Sequence, residues 1–477
     1  MSKADKANLA GKVDKAGKSS VTGKPSKACM TSKADKAGNA SKPSKPSKAT
    51  PARLLALRVT GELRQRSAYA AYLLESEVRP AELPQPERDF AELLVLGVAA
   101  TFGELDLLID GALGKGHLQH RVRDALRLST WELVFLGKEP WVAVSQGVEL
   151  VRSVAPQAAG LANKVLHEIA NIMELDPAHG GFPFGDPATD DTALAHQQAF
   201  PLWLAQRLIA DLGREAAVAF MQASNQPAPN YLWQSPDGTA LGIDESAQAV
   251  ARLATPAVGQ PYLEVGAGRG GKTVLLQHLA AAGAGRPTLH VALDLSAGKR
   301  KVLEQRIEQF RLQNVRIVCG DVLQLDTLIT EQDLPVRYAG ALIDAPCSGT
   351  GTLRRHPEIR WRLTPEAVTT LADQGLAMLQ AVAPHIAPGG FIVYSTCSAL
   401  REENEQVVER FLAAQAVADR QFVDAQLADI KPAGTQPAGS QLPGRRLADM
   451  QLVGQYLRTQ LTPGSADAHF AARLERR

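Results

Sequence analysis

The sequence predicts an α/β domain with a doubly wound sheet, preceded by an all-α domain and a disordered basic tail. Three observations support this prediction. Short apolar strands alternate with helical segments over residues 241–477, which is typical of a parallel sheet. Helical periodicity without strand patterns covers residues 51–173. Residues 1–50 contain no aromatic side chain and cannot bury enough apolar surface to fold.

The tail is strongly basic, unlike the rest of the chain. Residues 1–50 hold twelve lysines and three aspartates, a net charge of +9, whereas the whole chain carries +2. The remaining residues therefore carry −7. Every lysine of the tail lies at a multiple of three, a spacing that fits neither a helix nor a strand. Such a tail either attracts nucleic acid without sequence preference or only aids solubility, and the sequence leaves both interpretations open.

Composition narrows the class of protein. No stretch approaches the ~20 consecutive apolar residues of a membrane span. The first residues lack the apolar core of a secretory signal. The four cysteines form no C-x-x-C pair, which argues against a disulfide framework or a zinc site. We therefore expect a cytoplasmic protein with reduced thiols, no bound metal and no membrane contact, and we expect a monomer.

Residues 174–240 are predicted to be a linker and helical connector. Glu174–Thr192 is rich in glycine, proline and aspartate, as expected of a linker. Helical periodicity resumes over Phe200–Ala223. The connector therefore separates the all-α domain from the α/β domain.

Five apolar runs in the α/β domain predict parallel strands, and polar residues follow most of them. The predicted strands are Pro261–Val265, Leu289–Leu293, Val315–Val318, Ala339–Ile343 and Phe391–Tyr394. The residues at their carboxyl ends include a glycine loop, three aspartates and two cysteines: Gly266–Thr273, Asp294, Asp321, Asp344, Cys347 and Cys397. Because open α/β sheets bind ligands at this edge, we expect these side chains to form one site.

The glycine loop allows two interpretations. Gly266–Thr273 matches G-x-x-x-x-G-K-[ST], the phosphate-binding loop of P-loop NTPases, in which Asp344 would serve as the metal-holding acid. The same letters also read as a glycine turn followed, at the end of the next strand, by Asp294. That layout is typical of an adenosine-containing cofactor whose ribose hydroxyls bind a carboxylate. The loop alone does not choose between them.

The two cysteines favour the second interpretation. Phosphoryl transfer needs Mg²⁺ and cations rather than thiols beside a cofactor carboxylate. Methylation of carbon 5 of a pyrimidine does need a thiol, because that carbon becomes nucleophilic only after a thiolate adds to carbon 6. Basic residues follow Cys347, together with Trp361, and they predict contact with a phosphate backbone and a stacked base. These basic residues are Arg354, Arg355, His356, Arg360 and Arg362. The alternative is a tight loop with a buried structural cysteine.

Two segments resemble the RNA cytosine-C5 methyltransferases. They are D-A-P-C-S-G-T-G-T-L-R-R-H-P-E-I-R-W (Asp344–Trp361) and Y-S-T-C-S-A-L-R-E-E-N-E-Q-V-V (Tyr394–Val408). The helical region is similar to the RNA-binding factor NusB in A-R-L-L-A-L-R-V (Ala52–Val59), D-A-L-R-L-S-T-W-E-L-V-F-L (Asp124–Leu136) and A-G-L-A-N-K-V-L (Ala159–Leu166). This resemblance implies a helical module that binds RNA or docks on a protein. The whole chain therefore resembles RsmB-type enzymes, which methylate small-subunit ribosomal RNA.

The resemblance implies a Rossmann-like S-adenosylmethionine-dependent methyltransferase domain after a NusB-like domain. It also implies the role of each site residue. Cys397 would be the nucleophile, and Cys347 would assist release of the enzyme–RNA adduct. S-adenosyl-L-methionine would be held by Gly266, Ala267, Gly268, Arg269, Gly270, Gly271, Lys272, Asp294, Asp321 and Asp344, with Asp344 also facing the cytosine.

Three departures from the family pattern leave a third alternative open. Leu263–Arg269 replaces the first part of the usual D-x-C-A-A-P-G-G-K-T, and Arg269 stands where the proline is expected. The stretch between Pro229 and Asp244 is shorter than usual. The usual D-G-F-F near the end reads Asp467–Phe470 with Ala and His in the middle. The chain could therefore be an RNA-binding assembly factor that has lost catalysis.

Overall fold

The computed structural model of the chain describes residues 49–66, 68–175, 185–283, 285–428 and 450–477. The predicted disordered basic tail lies outside the described residues, apart from its last two positions. Most of the glycine-rich part of the predicted linker, residues 176–184, lies outside them as well. Among the described residues, no helix is long and apolar enough to cross a membrane.

The first part of the chain is helical, as predicted. Its helices are α1 (Pro51–Arg66), α2 (Ala70–Leu73, continuing as a π-helical turn over Leu74–Val78), α3 (Gln85–Leu113), α4 (His120–Val134), α5 (Pro140–Val154) and α6 (Ala159–Leu175). Proline occupies the first turn of α3 and α5, where its missing N–H has no helical partner to lose. The apolar faces of helices α1 to α6 pack together in one hydrophobic core.

Helix α4 is buried along most of its length, and ion pairs compensate its buried charges. Arg53 of α1 donates two hydrogen bonds of 2.7 Å to the Glu132 carboxylate. Asp124 accepts from Arg127 at 2.7 Å and from Arg64 at 3.1 Å. A buried charge is costly unless it is paired in this way, so these contacts fix the helices at defined positions.

Three helices and a hairpin follow. The helices are α7 (Asp191–Gln198), α8 (Leu202–Leu212) and α9 (Arg214–Ser224), and the antiparallel hairpin consists of β1 (Leu232–Gln234) and β2 (Ala240–Gly242). The helices pack against Leu353, Val368 and Leu400 of the α/β part, with which they form a common core. Helical structure was predicted here, whereas the short hairpin was not.

The α/β part is built on one mixed sheet with strand order β5-β4-β3-β6-β7-β10-β8, in which β9 also pairs with β10. Its strands are β3 (Tyr262–Val265), β4 (His290–Asp294), β5 (Val315–Cys319), β6 (Tyr338–Asp344), β7 (Ile386–Thr396), β8 (Met450–Leu452), β9 (Leu457–Arg458) and β10 (Phe470–Arg476). The five predicted strands, β3 to β7, are parallel to one another. Strand β10 runs antiparallel to β7, which makes the sheet mixed, and the sequence did not predict this edge.

Helices connect the strands and cover the sheet. They are α10 (Glu245–Leu253), α11 (Gly271–Ala282), α12 (Ala297–Gln309), α13 (Leu325–Glu331), α14 (Ile359–Arg362), α15 (Pro365–Val382) and α16 (Glu405–Ala428). Because β3, β4, β6 and β7 are parallel, the loops that follow them meet at one edge of the sheet. The candidate site is built from these loops.

Candidate active site

The glycine loop between β3 and α11 requires glycine at two positions. Gly266 has a φ of 79°, and a Cβ atom there would lie 2.4 Å from the Asp344 carbonyl oxygen. Gly270 has a φ of 82°, and its Cβ would lie 2.4 Å from Leu303 Cδ1. A side chain at Gly266 would therefore collide with backbone, one at Gly270 would displace Leu303, and the positive φ disfavours any other residue at both positions. The loop lies directly against the end of β6 and leaves its backbone open to close approach.

Asp294 at the end of β4 is held by the backbone. Its Oδ2 accepts a 2.8 Å hydrogen bond from Gly268 N, and its Oδ1 accepts one of the same length from Ser296 N. Lys299 Nζ lies 3.5 Å from Oδ2. A carboxylate has about four acceptor sites, so Asp294 retains lone pairs for the hydroxyl groups of a ligand. Glycine loop and carboxylate together fit an adenosine-containing ligand.

The remaining predicted cofactor residues differ in their exposure and contacts. Arg269 is exposed, and its carbonyl oxygen accepts from Arg306 at 2.9 Å. Asp321 follows β5, the strand next to β4, and caps a short 3₁₀ turn by accepting from Leu323 N at 3.0 Å. Glu264 lies in β3, two residues before the glycine loop, and is buried inside the sheet, where it contacts His290 at 3.0 Å.

The geometry argues against a P-loop NTPase. Lys272 Nζ lies 2.7 Å from Asp344 Oδ2, so the lysine that would bind phosphates is engaged with a carboxylate. Thr273, whose hydroxyl would bind Mg²⁺, is fully buried, and among the described residues its Oγ1 has no hydrogen-bond partner. The loop therefore shares the letters of the phosphate-binding motif without presenting its two functional side chains.

The Lys272–Asp344 pair is the main contact that sequence reasoning missed. Ser395 Oγ donates to the other carboxylate oxygen of Asp344 at 3.2 Å, which fixes the carboxylate beside β7. Burial lowers the pKa of Lys272, but the charges of Asp344 and Cys397 outweigh burial and raise it overall. Lys272 therefore carries a positive charge in the space between the glycine loop and the cysteines.

Both cysteines lie at the same place. Cys347 follows β6, Cys397 follows β7, and their Sγ atoms are 3.4 Å apart. Neither forms a disulfide, and both are partly buried. The hydrogen bond with Cys397, burial and the nearby charges of Cys397 and Glu403 raise the pKa of Cys347 well above its usual value. Cys347 is therefore a protonated thiol at neutral pH, in hydrogen-bond contact with Cys397.

The basic residues after Cys347 do not form the RNA-binding cluster that the sequence predicted. Arg354 and Arg355 both donate to the buried carboxylate of Asp467, at 2.9 and 2.7 Å. Arg360 is fully buried, where it lies 4.1 Å from the Phe200 ring centre. The prediction of nucleic-acid contact is wrong for Arg354 and Arg360, because their guanidinium groups are buried and already form contacts within the chain.

The end of the same segment joins the helical domain. Trp361 Nε1 donates to the Ala100 carbonyl oxygen at 3.0 Å. Arg362 donates to the carbonyl oxygens of Leu63 and Ala68 at 2.9 and 2.8 Å. The segment that begins at Cys347 therefore contacts the helical domain through its last residues, Trp361 and Arg362.

The comparisons with known proteins agree with this architecture. A family profile described as 16S rRNA methyltransferase RsmB/F matches residues 251–475, and one for the NusB family matches residues 50–171. Ribosomal RNA small subunit methyltransferase B of Thermus thermophilus is 31% identical over 385 residues, which cover 76% of this chain and 87% of that protein. This chain belongs to the RsmB/F family.

Further relatives support the assignment. A probable ribosomal RNA small subunit methyltransferase B of Synechocystis is 29% identical over 406 residues, covering 76% of this chain and 89% of that protein. The crystal structure of PH0851 shares the fold with a TM-score of 0.66 and 18% identity, and the match covers 91% of this chain and 100% of that one. The chain is accordingly an S-adenosylmethionine-dependent rRNA methyltransferase with an N-terminal NusB domain.

The structure brings most of the predicted site residues together. The glycine loop, Asp294, Asp344 and both cysteines lie at one edge of the sheet, and their individual roles remain predictions. In the part of the chain that the structure describes, no group of three or more His, Cys, Asp or Glu side chains is arranged to hold a metal ion.

Proposed function

We propose that this enzyme methylates carbon 5 of a cytosine in 16S ribosomal RNA through a covalent bond between Cys397 and carbon 6. One observation carries the proposal: two free thiols lie 3.4 Å apart at adjacent strand ends, beside the Lys272–Asp344 pair. A methyltransferase acting on a nucleophilic nitrogen or oxygen would need no thiol. Carbon 5 of cytosine does need one, because a thiolate at carbon 6 supplies the electrons that make carbon 5 nucleophilic.

Cys397 would act first. Its thiolate adds to carbon 6 of the cytosine, and the electrons of the 5,6 double bond become available at carbon 5. The positive charge of Lys272 suits a neighbour that reacts as a thiolate. Bound S-adenosylmethionine supplies the methyl group that carbon 5 receives. Gly266–Lys272 and Asp294 would hold this donor, and Asp344 would orient the cytosine.

Cys347 would act second. After methyl transfer, carbon 5 still carries its proton, and the bond from carbon 6 to Cys397 must break. A thiolate at Cys347 would accept the proton, after which the double bond forms again and Cys397 leaves as a thiolate. The hydrogen bond with Cys397 is the largest cause of the raised pKa of Cys347. Formation of the adduct removes that cause, because a thioether replaces the Cys397 thiol, so Cys347 becomes easier to deprotonate when it is needed.

The substrate class follows from the family and the helical domain. The relatives are named as small subunit rRNA methyltransferases, and we propose that the NusB domain contacts the RNA as well. We propose 16S rRNA in the cytoplasm as the substrate, where both thiols stay reduced.

Bisulfite sequencing tests the proposed product. Unmodified 16S rRNA would be incubated with the enzyme and S-adenosylmethionine, then treated with bisulfite, which converts cytosine but not 5-methylcytosine. We expect a cytosine that is protected by the wild-type enzyme and not by Cys397→Ala. Methyl transfer to RNA without any protected cytosine would place the methyl group elsewhere and refute the proposal. RNA binding without methyl transfer would indicate the degenerate assembly factor.

A further inference from the structure

Each of the two cysteines is followed by a serine, and both serines contact the same buried carboxylate. Ser348 Oγ donates to Glu403 Oε2 at 2.6 Å, and Ser398 Oγ donates to the same oxygen. We propose that Glu403 is a positioning residue that holds the Cys347 and Cys397 loops together in the geometry that the reaction needs. This inference rests on the proposed function for the roles of the two thiols.

The carboxylate of Glu403 connects the two loops through Ser348 and Ser398, the residues that directly follow the cysteines. Its Oε1 also accepts from the backbone N–H of Ser348 at 2.5 Å. Three donors from the loops after β6 and β7 therefore converge on two oxygens. An ionised carboxylate accepts all three bonds at once, and bonds to a charged acceptor are about twice as strong as neutral ones. Glu403 is only 1% exposed, so water does not compete for them.

Glu403 is itself anchored to the sheet. It lies in the turn between β7 and α16, and Tyr394 OH from β7 donates to its carbonyl oxygen at 2.7 Å. Burial raises the pKa of Glu403 overall, although the hydrogen bonds from Ser348 and Ser398 reduce the shift. The position of the carboxylate is therefore fixed by the Glu403 backbone and by the hydrogen bonds from the two loops that it joins.

Other hydrogen bonds also join the two loops: Ser348 Oγ lies 3.2 Å from Ser398 Oγ, and Ser398 Oγ lies 3.2 Å from Thr350 Oγ1. Gly351 N donates to the Cys397 carbonyl oxygen at 2.9 Å, and Ala399 N donates to Thr350 Oγ1 at 3.0 Å. These bonds keep the loops adjacent, but they join neutral groups, whereas the Glu403 carboxylate receives both serine hydroxyl groups and the Ser348 backbone N–H together. Loss of Glu403 would leave Ser348 N and two hydroxyl groups without their charged acceptor, so the cysteines would lose their alignment while the fold persists.

Catalysis requires that the two thiols are positioned precisely relative to the cytosine. A reacting group displaced by about 1 Å can lose about a hundredfold in rate. The Glu403 carboxylate is buried and contacts Ser348 and Ser398, so in this proposal it acts through these two residues. Its loss should therefore slow the chemical steps and leave ligand affinity unchanged.

The test measures formation of the covalent adduct in a Cys347→Ala background, where the adduct cannot be released. Enzyme in excess is mixed with 16S rRNA and S-adenosylmethionine, and covalent complexes are counted on denaturing gels over time. We expect Glu403→Gln to slow adduct formation by about ten- to a hundredfold. The matched control is Glu402→Gln, because the Glu402 carboxylate contacts Arg207 and Thr369 instead of the cysteine loops. Glu402→Gln should form the adduct at the same rate as the Cys347→Ala parent.

Two further measurements separate positioning from folding. S-adenosylmethionine affinity should be the same in Glu403→Gln and Glu402→Gln, which shows that the glycine loop is intact. Ser398→Ala removes one of the two hydroxyl groups and should also slow the adduct, with little added effect when combined with Glu403→Gln because both act through one contact.

The outcomes distinguish this inference from the proposed function. Equal adduct rates in Glu403→Gln, Ser398→Ala and Glu402→Gln would overturn the positioning role. If the Cys347→Ala parent forms no adduct, the proposed mechanism fails instead. The turnover number for methyl transfer would then decide the positioning role in the wild-type background, with a selective decrease in Glu403→Gln supporting it and no decrease refuting it.

Discussion

Replacing Gly103 by alanine tests whether the helical domain must dock on the catalytic segment. A Cβ atom at Gly103 of α3 would lie 2.2 Å from Trp361 Cζ3, with two more ring atoms within 2.7 Å. The indole ring must therefore move, and its 3.0 Å hydrogen bond to Ala100 is lost. Overpacking costs about 1–3 kcal/mol. Loss of the hydrogen bond lowers the free energy of unfolding by about 1 kcal/mol, and the higher helix propensity of alanine raises it by about the same amount, so these two effects cancel.

We therefore expect Gly103→Ala to destabilise the protein by about 1–3 kcal/mol. Gly111→Ala is the matched control, because it lies in the same helix with no atom near its Cβ position, and it should stabilise by about 1 kcal/mol. Urea unfolding followed by tryptophan fluorescence measures both. Methyl transfer to 16S rRNA should fall only in Gly103→Ala, since Trp361 ends the segment that carries Cys347. Equal stability and activity of the two variants would refute the docking argument.

Three further predictions concern the donor site, the second thiol and the tail. Asp294→Ala should weaken S-adenosylmethionine binding by roughly ten- to a hundredfold in calorimetry, since charge-assisted hydrogen bonds are worth ~1.5–3 kcal/mol; unchanged affinity would contradict the assignment. In the adduct, where Cys397 is a thioether, burial still raises the pKa of Cys347; its thiolate becomes more abundant as pH rises, so resolution of the adduct should accelerate as pH increases above neutral. A pH-independent rate would exclude Cys347 as the base. Deleting residues 1–50 should flatten the salt dependence of RNA binding if the lysines contact phosphates, whereas an identical slope would leave only the solubility interpretation.

The elements of the fold that are determined by residues close together in the sequence could be predicted from the sequence. The strands β3 to β7 were recognisable because each is a short apolar run that ends in a polar residue. The two cysteines could be placed together because parallel strands bring their carboxyl ends to one edge. The antiparallel strand β10 was missed, since its partner β7 lies far away in the sequence and no turn signal connects them.

Long-range pairing also explains the errors at the site. Arg354 and its partner Asp467 are 113 positions apart, so composition alone could not distinguish a buried ion pair from an RNA contact. Lys272 and Asp344 are 72 positions apart, and the glycine motif by itself suggested a phosphate ligand for the lysine. Glu403 could have been suspected from the run of acidic residues after Cys397-Ser398, but only the structure shows which carboxylate turns inward.

The most direct test of the central claim is a denaturing gel of two variants with 16S rRNA and S-adenosylmethionine. If Cys397 attacks carbon 6 and Cys347 is needed for release, Cys347→Ala should accumulate a denaturant-resistant complex with RNA. Cys397→Ala should form no such complex and transfer no methyl group. A complex in Cys397→Ala but not in Cys347→Ala would show that the roles are reversed. Methylation by Cys397→Ala at the wild-type rate would contradict covalent catalysis altogether.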